Sequence, residues 1–512
     1  MSEKVVLDGN HLTIDEVVAV ARFDAPVEIA PEAVEAVNKS REIVETIQKS
    51  GEPAYGINTG FGSLQKVSVS DEETVQLQEN LIRTHSSGFG EPFPRDVVRA
   101  IMLVRVNSLL KGFSGIRLST VKALLDLINH KVHPHIPEKG SLGASGDLAP
   151  LSHMVLPMLG LGRAYYDGEL MSGKEALDKA GLTPIQLASK EGLALINGTT
   201  VLTAVGALAT YDAIALAKLS DVAGALSIEA HGGLTDAFVP EIHEIRAQPG
   251  QMATAKNMRA LLEGSGNTTH SEPGHVQDAY TLRCIPQIHG ASKDGIEYVR
   301  QKVEIEINSV TDNPIILPDG RVISGGNFHG EPMAQPFDFL GIAAAEIGNV
   351  SERRIERLVN NQLSGLPSFL VKNPGLNSGY MITQYAAAAL ASENKVLAHP
   401  ASVDSIPSCE NQEDFVSMGT IAARHAAEIV NNAKRIVATE IMAACQAIDL
   451  KGVEDKLGKG GRIAYDYVRE HAEFIENDKD IEIYDEINKV SALVDDHSLV
   501  EKVLKDIELD LA

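Results

Sequence analysis

The chain has 512 residues, with 45 Lys and Arg against 70 Asp and Glu, for a formal net charge of −25. A 44% hydrophobic and 22% charged composition is ordinary for a folded globular protein, and the length suffices for one large domain or about three average ones. The acidic balance argues against a nucleic-acid binder, which needs a basic face to release phosphate counterions, and equally against docking on an anionic membrane.

In chain order, Met1 to Asn10 has no apolar core of the kind a signal peptide carries. The run from Pro31 to Ile47 places Val34, Val37, Ile43, Val44 and Ile47 at helical spacing, with Pro31 suited to a first turn. Ala54 to Gly62 contains three glycines, Gly56, Gly60 and Gly62, and reads as a loop. Helical periodicity returns from Asp96 to His130, broken at Gly112-Phe-Ser-Gly115, and 136–150 is again loop-like. Ala194–Glu229, Phe337–Gln362, Ser378–Leu397 and Ser417–Ile448 are long and alanine-rich, several apolar nearly all round as buried helices are. The most apolar of them carries Asp212, Lys218 and Asp221, whereas a bilayer span needs about 20 mostly uncharged residues. A soluble protein is expected. Glu304-Ile-Glu-Ile307 and Arg321-Val-Ile-Ser324 read as short peripheral strands.

The last 62 residues hold 9 Lys and Arg against 17 Asp and Glu, an amphipathic, solvated helical appendage. The expected fold is mainly α, a long central helical bundle with a smaller mixed, loop-rich N-terminal part. Its parts divide into 1–195, 196–450 and the acidic segment 451–512, as one continuous unit. Cys284, Cys409 and Cys445 are odd in number and widely spaced, so no disulfide framework or zinc knuckle follows and a reducing cytoplasm is the default.

Common catalytic motifs are missing. No Gly-x-x-x-x-Gly-Lys-Ser/Thr serves nucleotide phosphates and no His-Glu-x-x-His serves zinc. Gly-x-Ser-x-Gly fails at Ser145, because Gly143-Ala-Ser-Gly-Asp147 ends in Asp. His133-Pro-His135 lacks a carboxylate or Cys at matching spacing and reads as a polar helix exit; no metal is expected.

Gly140-Ser-Leu-Gly-Ala-Ser-Gly-Asp-Leu-Ala-Pro-Leu-Ser-His153 supports two readings. The plainer one is a Gly-rich loop leading to a helix N-cap at Ser145 or Asp147. The other follows from Gly143 to Gly146, four small residues whose backbone can fold back on itself. Attack of the Gly146 amide nitrogen on the Ala144 carbonyl closes a five-membered ring with loss of water. Loss of the Ser145 hydroxyl as a second water leaves an exocyclic methylidene, an electrophile that no ordinary side chain supplies.

That stretch resembles the signature of the histidine and aromatic amino acid ammonia-lyases, in which Ala-Ser-Gly becomes 4-methylidene-imidazol-5-one (MIO). The resemblance spans essentially the whole chain. It includes Tyr55-Gly-Ile-Asn-Thr-Gly-Phe-Gly62, Asn197-Gly-Thr, Gln277-Asp-Ala-Tyr-Thr-Leu-Arg-Cys284, Gly326-Asn-Phe-His-Gly330 and Asn411-Gln-Glu-Asp414. It implies non-oxidative removal of ammonia and a β-proton from an α-amino acid, with MIO from Ala144, Ser145 and Gly146 and no external cofactor. Bonding of the electrophile to the amine is preferred, because it makes the nitrogen itself a better leaving group.

The same resemblance assigns Tyr55 as catalytic base, although a free phenol has a pKa of about 10. Arg283 resembles the clamp of the substrate carboxylate, suited to a bidentate guanidinium. Asn197, Gln277 and Tyr280 resemble hydrogen-bonding dipoles for that carboxylate and the MIO carbonyl, and Phe328 a packing partner of the MIO ring. Thr84-His85 and Glu413 resemble the histidine-lyase pattern, where phenylalanine lyases carry apolar residues and Gln. An imidazole substrate wants a donor and an acceptor, whereas a Glu facing a phenyl ring is a buried carboxylate without a partner. Histidine is therefore the expected substrate, giving urocanate in the first step of histidine degradation. One departure is Phe415, where many histidine lyases carry His. The family further implies a homotetramer whose sites combine residues from three subunits. The alternatives are a tyrosine or phenylalanine ammonia-lyase, an MIO-type aminomutase, and a non-enzymatic helical scaffold whose loop stays unreacted.

Overall fold

The computed structural model describes residues 4–50, 54, 56–57, 71–475 and 481–511. Among them, twenty α-helices stand against nine strands of two to four residues, so the chain is mainly α. The helix Pro31–Ser50 opens on Pro31, whose missing N–H would be unsatisfied in a first turn anyway, and buries Val37 and Val44. Arg95–Leu110 and Leu118–Asn129 are separated at Gly112-Phe-Ser-Gly115. Glycine is required at that break: Gly112 has φ +75°, and a Cβ there would lie 2.6 Å from the Ala36 backbone.

The alanine-rich runs form the helices Thr200–His231, Glu331–Val359, Met381–Leu397 and Gly419–Lys451. Thr200–His231 is long and apolar enough to cross a bilayer, but 83% of its most apolar stretch is buried inside the protein. Small side chains let such a helix pack closely on every side. The strand expected at Glu304-Ile-Glu-Ile307 is not formed, because residues 304–306 close the helix Ile285–Glu306. Val299, Val303 and Ile307 are buried at four-residue spacing while Ile305 is 62% exposed. A strand would put Ile305 and Ile307 on one face, and the helical period separates them.

Two compact units divide the chain, each assembled from three separate stretches. The first comprises residues 1–211, 300–338 and 400–424 and holds all nine described strands. Val5–Leu7 pairs in parallel with Val27–Ile29, and Phe89–Pro92 pairs antiparallel with Pro137–Lys139. A three-stranded antiparallel sheet joins His133–Pro134, Arg163–Tyr166 and Glu169–Ser172. His133 thus lies in a strand and His135 directly follows it, where a helix exit was expected. Val322–Ile323 pairs with Ile315–Ile316, as the short strand expected there requires.

The second unit comprises 212–299, 339–399 and 425–512 and is helical. A fully buried polar cluster ties its elements together. Asp221 accepts from Lys293 Nζ at 2.5 Å, Asn257 Nδ2 at 2.8 Å and His289 Nδ1 at 2.8 Å. The other ring nitrogen of His289 lies 3.2 Å from Arg354 Nη1, which can only donate, so His289 is neutral with its proton on Nδ1. Burial lowers the His289 pKa, in keeping with that tautomer. Arg354 in turn holds Glu440 through two bonds of 2.5 and 2.9 Å.

The acidic C-terminal segment reaches into this cluster instead of standing off as a solvated appendage. Lys293 donates to the Asp510 carbonyl at 3.2 Å, and Asn257 exchanges two hydrogen bonds with the Asp510 backbone. Removing one partner of a buried ion pair leaves the other charge uncompensated. K293M is therefore expected to cost roughly 3–5 kcal/mol, read as a lower Tm, and D221N/K293M is expected to recover part of that loss.

Candidate active site

The Gly-rich loop is held by contact as well as by conformation. Gly143 and Gly146 have φ values of +75° and +76°. A Cβ on Gly143 would lie 2.3 Å from Ser417 Oγ, and one on Gly146 only 2.0 Å from the Gly198 carbonyl oxygen. That closeness comes from a parallel bridge between Gly146 and Gly198, in which Gly198 N donates to Ser145 O at 3.1 Å and Asp147 N donates to Gly198 O at 2.8 Å. Residues 145–147 and 197–199, far apart in sequence, are thereby locked side by side.

Asp147 precedes the helix Leu148–Val155 but makes no side-chain cap bond to it. Its Oδ2 instead accepts from Val201 N at 2.8 Å and Leu202 N at 2.9 Å, the first turn of Thr200–His231. Two orphan amides are satisfied and the anion meets the positive end of the helix dipole. Its Oδ1 accepts from Ser141 Oγ at 2.9 Å and, in close contact, from Thr420 Oγ1. Complete burial pushes the Asp147 pKa up, and these four donors hold it back.

Beside the loop lies a cavity of about 340 Å³ whose lining includes Thr84, His85, Ala144, Gly146, Ser408 and Glu413. Ser145 Oγ donates to Glu413 Oε1 at 2.9 Å. His85 ends the helix Asp71–His85; burial lowers its pKa, against the Leu81 carbonyl and the Glu413 charge. The cavity thus offers an imidazole and a carboxylate, the two groups that recognise a heterocycle carrying one donor and one acceptor.

Asn197 is buried, and its Nδ2 donates to Asn313 O at 3.1 Å and Asp312 Oδ1 at 3.3 Å. Its Oδ1 has no partner among the described residues. Around it sit buried charges that sequence reasoning missed. Lys190 and Asp312 pair at 2.7 Å, and the guanidinium of fully buried Arg105 bonds to the Ala194 carbonyl. Burial brings the Arg105 pKa down to about 10. A lone Arg within the apolar run Ile101-Met-Leu-Val-Arg-Val106 was the available signal.

Phe328 is half-buried in the same unit. Phe415 stacks on the neighbouring His329, with ring centroids 6.0 Å apart and planes at 16°. Tyr55 lies outside the described residues; of its neighbours, Ile57 packs with Val44 and Ile316. Gln277, Tyr280 and Arg283 belong to the second unit. Tyr280 is 70% exposed, and the Arg283 guanidinium lies over its ring at 4.7 Å. Arg283 donates to Asp278 O at 2.9 Å and forms no ion pair with any described residue.

The signature histidine, His153, was not singled out from sequence. Its Nε2 accepts the Gly88 amide at 3.0 Å, pinning the turn that follows His85.

The family described as aromatic amino acid lyase matches this chain over residues 12–470. Histidine ammonia-lyases of Streptococcus pyogenes serotype M1 and Streptococcus sanguinis strain SK36 are each 70% identical to it over 511 residues, covering 100% of both chains. Among solved structures, histidine ammonia-lyase from Trypanosoma cruzi superposes with a TM-score of 0.92 at 43% identity, covering 99% of this chain and 96% of that one. Tyrosine aminomutase from Streptomyces globisporus superposes with a TM-score of 0.95 at 39% identity, covering 99% and 100%.

Burial, with His135 and Arg163 nearby, holds the His153 pKa at about 4, against about 6.5 in an unfolded chain. The unfolded state therefore binds the proton first, and stability falls as pH drops from about 6.5 to about 4. In H153Q, which keeps an acceptor for Gly88 but does not titrate, Tm is expected to fall less than in the parent across that window.

Proposed function

This chain belongs to the aromatic amino acid lyase family and is a carbon–nitrogen lyase, and from that premise we propose that it deaminates L-histidine to trans-urocanate and ammonia. The observation that carries the substrate is the placement of His85 and Glu413 on one cavity with Ala144 and Gly146. Once Ser145 has given up its hydroxyl, a phenyl ring there would leave the Oε1 of Glu413 without a partner, at a cost of several kcal/mol. An imidazole ring satisfies it.

We assign the source of MIO to Ala144, Ser145 and Gly146. The surroundings fit such a group: Gly146 sits where a Cβ would strike the Gly198 carbonyl, and the residue before Gly198, Asn197, carries a buried amide oxygen with no partner among the described residues. When formed, MIO supplies an electrophile for the amine. The remaining work falls to side chains. Tyr55 takes the β-proton, which requires stabilising a phenolate. Arg283 clamps the carboxylate as a bidentate donor, aided by the dipoles of Gln277, Tyr280 and Asn197. Phe328 packs beside the ring.

A homotetramer with sites shared between subunits is part of this reading. It is supported by large apolar side chains exposed on helices of the second unit, Phe339, Ile342, Ile382 and Tyr385 among them. We place the enzyme in the cytoplasm, in keeping with three free cysteines.

The test mixes purified protein separately with L-histidine, L-phenylalanine and L-tyrosine and follows ultraviolet absorbance and ammonia. Urocanate and ammonia are expected from histidine alone; product from an aromatic substrate overturns the roles of His85 and Glu413. H85L and E413Q are each expected to lower kcat/KM for histidine by about 100-fold or more. Intact mass checks the self-made group independently. The parent chain should be lighter than its sequence by two waters, and S145A, with no hydroxyl to lose, should not show the second loss.

A further inference from the structure

Glu413 is held by a short loop of unusual conformation. Ser408 N donates to Glu413 O at 2.9 Å and Glu413 N to Ser408 O at 3.3 Å, closing an antiparallel bridge. Between them Cys409, Glu410 and Asn411 take φ values of 49°, 57° and 66°. Three consecutive non-glycine residues in the left-handed region persist only where the surroundings over-determine them, and such strain gathers at functional sites.

Across this loop Ser408 Oγ donates to Glu413 Oε2 at 2.9 Å, while Glu413 Oε1 accepts from Ser145 Oγ at 2.9 Å. Each carboxylate oxygen therefore has one hydroxyl partner. The two hydroxyls differ in fate. On the reading proposed above, Ser145 loses a proton from Cα and its hydroxyl from Cβ, together one water, as a carbon–carbon double bond forms. Oε1 then loses its partner and faces the cavity. Oε2 keeps Ser408.

The terminal torsion of a Glu side chain is broad and roughly two-fold, so a carboxylate with neither oxygen tethered swings freely. A charge-assisted bond from one side removes that freedom. We propose that Ser408 is the positioning residue for substrate recognition: it fixes Glu413 through Oε2, so that Oε1, freed by the dehydration of Ser145, accepts the N–H of the substrate imidazole. The inference rests on histidine being the substrate. It adds a residue that neither the signature nor the selectivity pair at 84–85 includes.

The experiment uses the full-length enzyme as S408A, S408V and S408T, and S408A combined with E413Q. Intact mass comes first, and all Ser408 variants are expected to be two waters light like the parent. For L-histidine, S408A and S408V are expected to raise KM about tenfold with kcat within about threefold, a loss of ground-state recognition. S408T, which keeps the hydroxyl in the shape of Val, is expected to restore the parent KM. In the E413Q background S408A is expected to change KM little, because its effect passes through the carboxylate.

Parent-like KM in S408A and S408V overturns the proposal, as does an equal S408A effect with and without E413Q. Retained water in S408A moves Ser408 from recognition to maturation and overturns it too. Loss of cooperative melting in both S408A and S408V, making Ser408 a folding residue, does the same. Absence of histidine turnover in the parent itself is a separate outcome, and it defeats the substrate reading on which the inference stands.

Discussion

The first unit is organised around the carboxylate of Asp147. Its two oxygens collect donors from Ser141 at the start of the same loop and from two remote stretches of chain, Thr420 and the amides of Val201 and Leu202. A fully buried carboxylate is tolerable only when its lone pairs are filled and a positive potential faces it. The first turn of Thr200–His231 provides both. Ser141 and Asp147 bracket the loop, so fixing them to one anchor sets the path of the residues between. The course of Ala144, Ser145 and Gly146 is thus set by the fold, as the ring closure proposed above requires.

Backbone contact completes what that anchor starts. Gly146 lies too close to Gly198 to carry a side chain, and Gly198 is barred from one by Thr311, whose carbonyl oxygen a Cβ there would meet at 2.5 Å. The site also keeps features that ordinary packing would remove: an Asn197 oxygen with no partner among the described residues, the left-handed run at Cys409–Asn411, and the buried pair Lys190–Asp312. Densely packed, alanine-rich helices absorb such costs elsewhere in the molecule. Strain and unsatisfied polarity gather around the site at which we propose that substrate and electrophile are held.

The second unit solves a related problem differently. Asp221, Lys293, His289, Arg354 and Glu440 are all fully buried, yet their donors and acceptors match closely enough for His289 to have a single consistent tautomer. Through Asn257 and Lys293 the cluster also captures the backbone of Asp510. The excess acidity of the last 62 residues therefore belongs to the faces of helices such as Ile483–Asp495, while the end of the segment is tied to the interior.

Sequence alone determined the helical class, the long apolar rods and the break at Gly112–Gly115, because period, alanine content and glycine are local properties that survive without a partner. It also marked the Ala144-Ser145-Gly146 loop, through the resemblance that the surrounding stretch carries to the ammonia-lyase signature. It misplaced Glu304–Ile307, where four residues fit a strand or a helix equally well until Val299, Val303 and Ile307 find a common core. Its plainer reading of the Gly-rich loop offered Ser145 or Asp147 as the cap of the helix that follows, whereas the Asp147 carboxylate caps Thr200–His231 instead. Only the tertiary structure decided that Asp147 meets Val201, that Gly146 meets Gly198, and that Ser408 and Ser145 share Glu413. Those pairings lie 5 to 268 residues apart along the chain, and no local pattern encodes a contact whose partner is fixed by how whole helices pack.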